Sequence, residues 1–223
     1  MTLAERVRNA YATAVTGLDL TPIAPAADAL AARLQGGGLL HVLGCGHSQV
    51  LALEGYHRAG APAWVAPVLD SRLSPARGAA GTAAERTGGL GSELVAHLDP
   101  ANARALLVIS NSGRAAVPVE AAGAARAAGL LTIAITAPGP DNHLAAAVDH
   151  VLASNVPKGD AAVEVADERM APLSTVVGAV LLHALLAETE ARLESQSVLT
   201  SVHVDGGDDR NAALLARYPH LQP

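Results

Sequence analysis

The chain has no phenylalanine, one tryptophan and one cysteine in 223 residues, and aromatic residues make up only 2% of it. A core with so few rings must be filled by Ala, Leu and Val, which favours helices packed closely on a sheet over aromatic stacking. The lone Cys45 excludes an internal disulfide framework and leads us to expect a reducing compartment. The 15 Lys and Arg are scattered and the formal net charge is -6, so the clustered basic surface that a nucleic-acid partner needs is missing. No apolar run reaches the ~18 residues of a membrane span, and no basic-then-apolar leader stands near the start. A cytoplasmic protein with no membrane partner is therefore expected. Lysine is nearly absent too, since Lys158 stands alone. Pro157 and Gly159 beside it read as an exposed turn, which argues against the buried setting of a Schiff-base lysine.

What is present is a hydrophobic half and a length that suits one large α/β domain. Residues 1–36 read as two helices. The first carries Leu3, Val7, Ala10, Ala14 and Leu18 at helical spacing, and the second runs from about Pro25 to Gln35 before Gly36-Gly37-Gly38 closes it. They precede the first strand, so a flank or a dimer surface is their expected place. Residues 39–195 read as the core, in which strands at Leu39 to Leu43, Ala63 to Leu69, Leu106 to Ile109, Leu130 to Ile135 and Val151 to Ala153 alternate with helices. That order demands a parallel sheet with crossovers between helical layers. Residues 196–223 read as a tail with a short strand, Val198 to Val204, an acidic turn and a last helix ending at Tyr218.

The stretch around Leu106 to Arg114 organises the rest. An uninterrupted apolar strand delivers Ser110-Asn111-Ser112-Gly113 to the start of an Ala-rich helix, where free N–H groups and the helix dipole favour an anion. Two hydroxyls and an amide add to them. A plain N-capping serine is the alternative. The first strand ends likewise in Gly44-Cys45-Gly46-His47-Ser48 before a helix expected to run to about Ala59. This loop lacks the third glycine and the downstream acid of a dinucleotide fingerprint, and neither loop carries the Gly-Lys-Ser/Thr of a P-loop. From Asp70 to Gly91 periodicity fails. A surface loop of that length is expected to act as a lid or to carry part of a site.

Taken together, Gly44-Cys45-Gly46-His47-Ser48 and Ile109-Ser110-Asn111-Ser112-Gly113 resemble the paired serine loops of the SIS (sugar isomerase) domain. Glu54 with Arg58-Ala59-Gly60, the run from Asn155 to Ala161, Pro172-Leu173-Ser174-Thr175 and Val204-Asp205-Gly206-Gly207-Asp208 extend the likeness to bacterial stand-alone SIS proteins described only as phosphosugar-binding. The resemblance implies a single three-layer α-β-α sandwich with a five-stranded parallel sheet, in the flavodoxin-like or Rossmann-like manner. It also implies homodimers, or dimers of dimers, in which a neighbour's residues often complete the site. It places the phosphate of a sugar phosphate among Ser48, Ser110 and Ser112, with Gly46, His47, Asn111 and Arg114 around it and Ser174 or Thr175 close by. One departure is evident. Where many such loops continue to a threonine, Ala115 follows Arg114, so a hydroxyl is missing and Arg114 is the residue that would replace it with charge. No helix-turn-helix segment stands in front and no glutamine-amidotransferase half is present.

An aldose–ketose isomerase moves a proton between adjacent carbons through an enediol, which needs a carboxylate base and a group that opens the sugar ring. Glu54, on the helix after the first loop, and Glu85, in the long loop, are the candidate bases. An i,i+4 ion pair with Arg58 is the competing role for Glu54. His203, beside the acidic turn, is the ring-opening candidate because histidine gives and takes protons near neutrality. No cofactor is implied, and Cys45, His47 and His57 do not make a metal-ligand spacing. A lyase or etherase on a phosphorylated amino sugar and a non-catalytic sugar-phosphate sensor remain alternatives.

Overall fold

In a computed structural model, described for residues 1–218, five parallel strands form one sheet in the order β2-β1-β3-β4-β5. The strands are β1 (Leu39–Gly44), β2 (Val65–Val68), β3 (Ala103–Ile109), β4 (Leu131–Thr136) and β5 (His150–Ala153). β1, β3 and β4 are almost wholly buried, and their near-continuous apolar runs are what a sheet covered on both faces requires. Side chains alternate between two cores. Leu40, Val42 and Leu107 meet helices α2 (Ile23–Leu34), α3 (Ser48–Glu54) and α8 (Ser174–Glu190) on one face. Leu43, Leu106 and Val108 meet α5 (Leu90–Ala96), α6 (Ala116–Ala127) and α7 (His143–Ala147) on the other. The three-layer α/β architecture expected from the alternating elements is therefore the one observed.

The two N-terminal helices divide. α2 buries Ala26, Ala27 and Leu30 in the core, whereas α1 (Leu3–Thr16), started by a Thr2–Glu5 capping box, buries none of its residues and lies on the outside against α8. The single tryptophan, Trp64, is buried, and its indole N–H donates to Glu190 Oε2 at 2.8 Å. Glu190 also accepts from the Ser197 hydroxyl at 2.6 Å, so α8 fastens both the entry to β2 and the start of the tail.

Three expectations need correction. The helix after the first loop stops at Glu54, where Gly55 ends it, and does not continue to Ala59. The stretch from Asp70 to Gly91 is not structureless, for it holds two 3₁₀ turns, Ser71–Leu73 and Pro75–Arg77, and helix α4 (Ala79–Ala84). Asp70 and Ser74 cap those turns through the N–H groups of Arg72 and Ala76, so residues that read as loop formers are in fact caps of short helical turns. The tail does not form a strand from Val198 to Val204. It makes a single bridge between Pro62 and Val198 and then turns, ahead of α9 (Gly207–Leu215). The excursion after β5 is a hairpin of β6 (Val163–Val165) and β7 (Glu168–Met170), paired antiparallel. Among the described residues, no helix is long and apolar enough to cross a membrane.

Candidate phosphosugar site

The two serine-bearing loops leave neighbouring strands side by side, because Gly44 at the end of β1 pairs in register with Ile109 at the end of β3. The first loop folds back so tightly that a Cβ on Gly44 would lie 2.3 Å from the carbonyl carbon and oxygen of Ser48. Glycine is the residue that permits this, and it brings the start of α3 onto the end of the strand. Gly46 N–H donates to Leu73 O at 2.9 Å and Gln49 Nε2 to Asp70 O at 3.3 Å, so the 70–91 segment is docked on the first loop.

The second loop is held by side chains. Ser110 Oγ accepts the Gly113 N–H at 3.3 Å, and Thr136 Oγ1 donates to Ser110 O at 2.7 Å. Buried Asn142 caps α7 and donates to Thr136 Oγ1 at 2.7 Å. It lies so close to Gly113 (φ +60°) that a Cβ there would meet its Oδ1 at 2.0 Å. Ala115, where a threonine hydroxyl was expected, is the N-cap of α6, and no side chain caps that helix. In place of a side-chain cap, the Glu85 carbonyl accepts the Val117 N–H of the first turn at 3.0 Å.

A narrow cleft, with about 10 Å³ of free space, opens at the carboxyl edge between these loops, lined by Ser48, Asn111, Ser154 and, from the start of α8, Ser174 and Thr175. Asn111 is pinned there by the Ser154 hydroxyl, which donates to its Oδ1 at 2.9 Å. The hydroxyls differ in how free they are. Among the described residues, Ser48, Ser112 and Thr175 make no side-chain hydrogen bond, whereas Ser110 is turned into its own loop. Ser174 is also engaged: its Oγ donates to Asp160, whose carboxylate accepts the N–H groups of Leu173 and Ser174 at 2.9 and 2.7 Å. A resident carboxylate thus occupies the start of α8. Nothing in the sequence singled out Asp160 except its place in the 155–161 run. Ser112 and Arg114 face a second, wider cleft, and His47 is exposed at the N-cap of α3.

The three candidate catalytic groups are not brought together. Glu54 projects between α3 and α8, where Arg58 forms the expected i,i+4 ion pair with it and His183 Nε2 lies 3.2 Å from its Oε1. Six residues separate Ser48 from Glu54, so the carboxylate stands ~9 Å along α3 from the hydroxyl cleft. Glu85 ends α4 beside the start of α6; burial raises its carboxyl pKa, and it adds to the burial that pushes the Cys45 thiol up to about 12. His203 is exposed on the turn after Thr200, outside the residues that line the cleft. His183, and not the ring-opening candidate His203, is the histidine in contact with Glu54. Its one signal is a histidine within the apolar run Val176 to Ala187 of α8.

The fold and the paired loops define the class, and comparison with known proteins agrees: the family described as the SIS domain matches residues 6–137. The chain belongs to the SIS-domain family. Over nearly its full length it is similar to the UPF0309 protein of Brucella canis, with 34% identity over 213 residues covering 88% of each chain. Among solved structures it is similar to the phosphoheptose isomerase GmhA from Neisseria gonorrhoeae, at 21% identity and TM-score 0.56, covering 85% of this chain and all of that one. It is similar also to the Vibrio vulnificus NanR protein complexed with ManNAc-6P, at 12% identity and TM-score 0.53, covering 98% of this chain and 68% of that one. These two likenesses concern the fold.

Proposed function

We propose that this protein binds a sugar phosphate at the carboxyl edge of its sheet and interconverts its aldose and ketose forms. The observation that carries this reading is the convergence of the two loops, where the Ser48 and Thr175 hydroxyls share one cleft and the Ser112 hydroxyl faces the next, all three unengaged among the described residues. Hydroxyls and N–H groups in that arrangement suit a phosphate dianion. The names of two proteins of the same fold, a phosphoheptose isomerase and NanR complexed with ManNAc-6P, support the same class of ligand.

With the phosphate anchored there, the sugar chain extends along α3 toward Glu54. The carboxylate takes a proton from one carbon and returns it to its neighbour, passing through the enediol. His183, in contact with Glu54, is the group that exchanges a proton with the ring oxygen or the carbonyl oxygen. Glu85 is the rival base and His203 the rival ring-opening group. Val50 and Leu53 are exposed on α3 beside this pair, and a second copy packed on them would complete the site from a neighbouring subunit.

Incubation with hexose, hexosamine and heptose phosphates in heavy water tests the reading. Exchange at C1 or C2 is expected for one of them, lowered at least ~100-fold in Glu54→Gln and little changed in Glu85→Gln. No exchange with any of them would remove the isomerase. A second reading, a sensor that binds without turnover, is favoured by the engagement of Glu54 with Arg58. Tight binding unaffected by either substitution, with no exchange, would establish it.

A further inference from the structure

We infer that the wider cleft beside the hydroxyl cleft holds a second acidic group of the same ligand, so that the preferred ligand is a sugar phosphate bearing a further carboxylate or phosphate. This rests on the sugar-phosphate reading and names its substrate class more narrowly. The two clefts meet at Asn111, which lines both. The second is the roomier of the two, about 340 Å³ against about 10 Å³ for the first.

Its polar lining is built for an anion. Arg114 enters from the loop after β3 and Lys158, the single lysine of the chain, from the loop after β5, with Ser112 alongside Arg114. Lys158 has no ion pair or side-chain hydrogen bond among the described residues. Arg114 has only Asp141, at 3.9 Å and with both side chains more than half exposed. Such a pair is weak and exchangeable, and the Asp141 carboxylate marks where a ligand anion would sit. Two cations against one replaceable acid, in a protein of net charge -6, make this cleft locally attractive to negative charge. Val156, buried beneath it, gives the cleft an apolar floor that strengthens charge pairing above.

Titration calorimetry on the full chain with glucose 6-phosphate, glucose 1,6-bisphosphate and 6-phosphogluconate tests this, the last two separating a second phosphate from a carboxylate. At low salt at least one of the latter pair should bind about tenfold tighter than the monophosphate, which is about 1.4 kcal/mol. At about 1 M salt, where the Debye length falls to about 3 Å, that advantage should shrink to less than about threefold. Lys158→Gln, at an exposed turn, should abolish the advantage and leave glucose 6-phosphate affinity unchanged. Asp141→Asn should enlarge it. Equal affinity for all three probes, or an advantage that Lys158→Gln leaves intact, would overturn the inference while leaving the sugar-phosphate reading standing. Failure of all three to bind would overturn both.

Discussion

β1 with its loop and α3, and β3 with its loop and α6, are the same unit built twice on adjacent parallel strands, yet the two loops are held in different ways. The first is fixed by backbone against backbone, with Gly44 packed under Ser48. The second is fixed by a side-chain network of Ser110, Thr136 and Asn142. A loop locked through its main chain leaves its side chain unengaged, and Ser48 is free to meet a ligand. The other loop uses Ser110 and Asn111 to keep its own shape and offers Ser112 and Arg114 instead. The resemblance of two serine loops at the level of sequence therefore hides a division of labour between holding and binding.

Breaking the backbone lock should have the largest effect. Gly44→Ala places a methyl 2.3 Å from main-chain atoms of Ser48 that belong to a helix and cannot turn aside. A cost of at least ~3 kcal/mol is expected, the upper range of overpacking in a tight core. Ser110→Ala removes one side-chain bond to a backbone N–H and should cost only ~1 kcal/mol. Urea unfolding of both variants gives the contrast, and similar midpoints would show that the two loops are held alike.

The strands differ at one register pair as well. His41 in β1 stands opposite Leu106 in β3, and burial holds its pKa down to about 4, with Asp99 offsetting a little. Its Nδ1 is buried and has no hydrogen-bond partner among the described residues. The unfolded chain takes up this proton near pH 6.5 and the folded chain only near 4. The stability contributed by the neutral imidazole is thus fully present above pH 6.5 and is lost as pH falls toward 4, by about 3 kcal/mol across that window. His41→Leu should lose less stability on acidification: its unfolding free energy, compared at pH 7 and pH 4, should fall by ~3 kcal/mol less than that of the wild type. Parallel pH profiles would refute the burial argument.

The same contrast explains what could be read from the residues alone. β1, β3 and β4 were legible because each is a largely apolar run, and the glycines in the loop at the end of β1 and within the second loop marked the turns. The 70–91 segment was not, since its 3₁₀ turns and α4 are too short for periodicity and depend on docking to Gly46 and Gln49. Nor was the support of the second loop, because Thr136 and Asn142 come from the next strand and the turn beyond it, about thirty residues downstream. Asn142 is the test of that distant support. Asn142→Ala removes the cap of α7 and leaves Thr136 without its donor, and a loss of ~2 kcal/mol is expected in urea unfolding.

The smallest effect on stability should accompany the largest on binding. Ser48 and Ser112 hold nothing within the described chain, so replacing either by alanine should move the unfolding free energy by no more than ~0.5 kcal/mol. A sugar phosphate at ~100 times its dissociation constant stabilises the wild type by about 2.7 kcal/mol, and that increment should vanish in the double variant. Measured together by thermal shift with and without ligand, the two quantities separate a binding hydroxyl from a structural one. Ser110→Ala should show the reverse pattern, costing stability first and weakening the ligand only through the loop it supports.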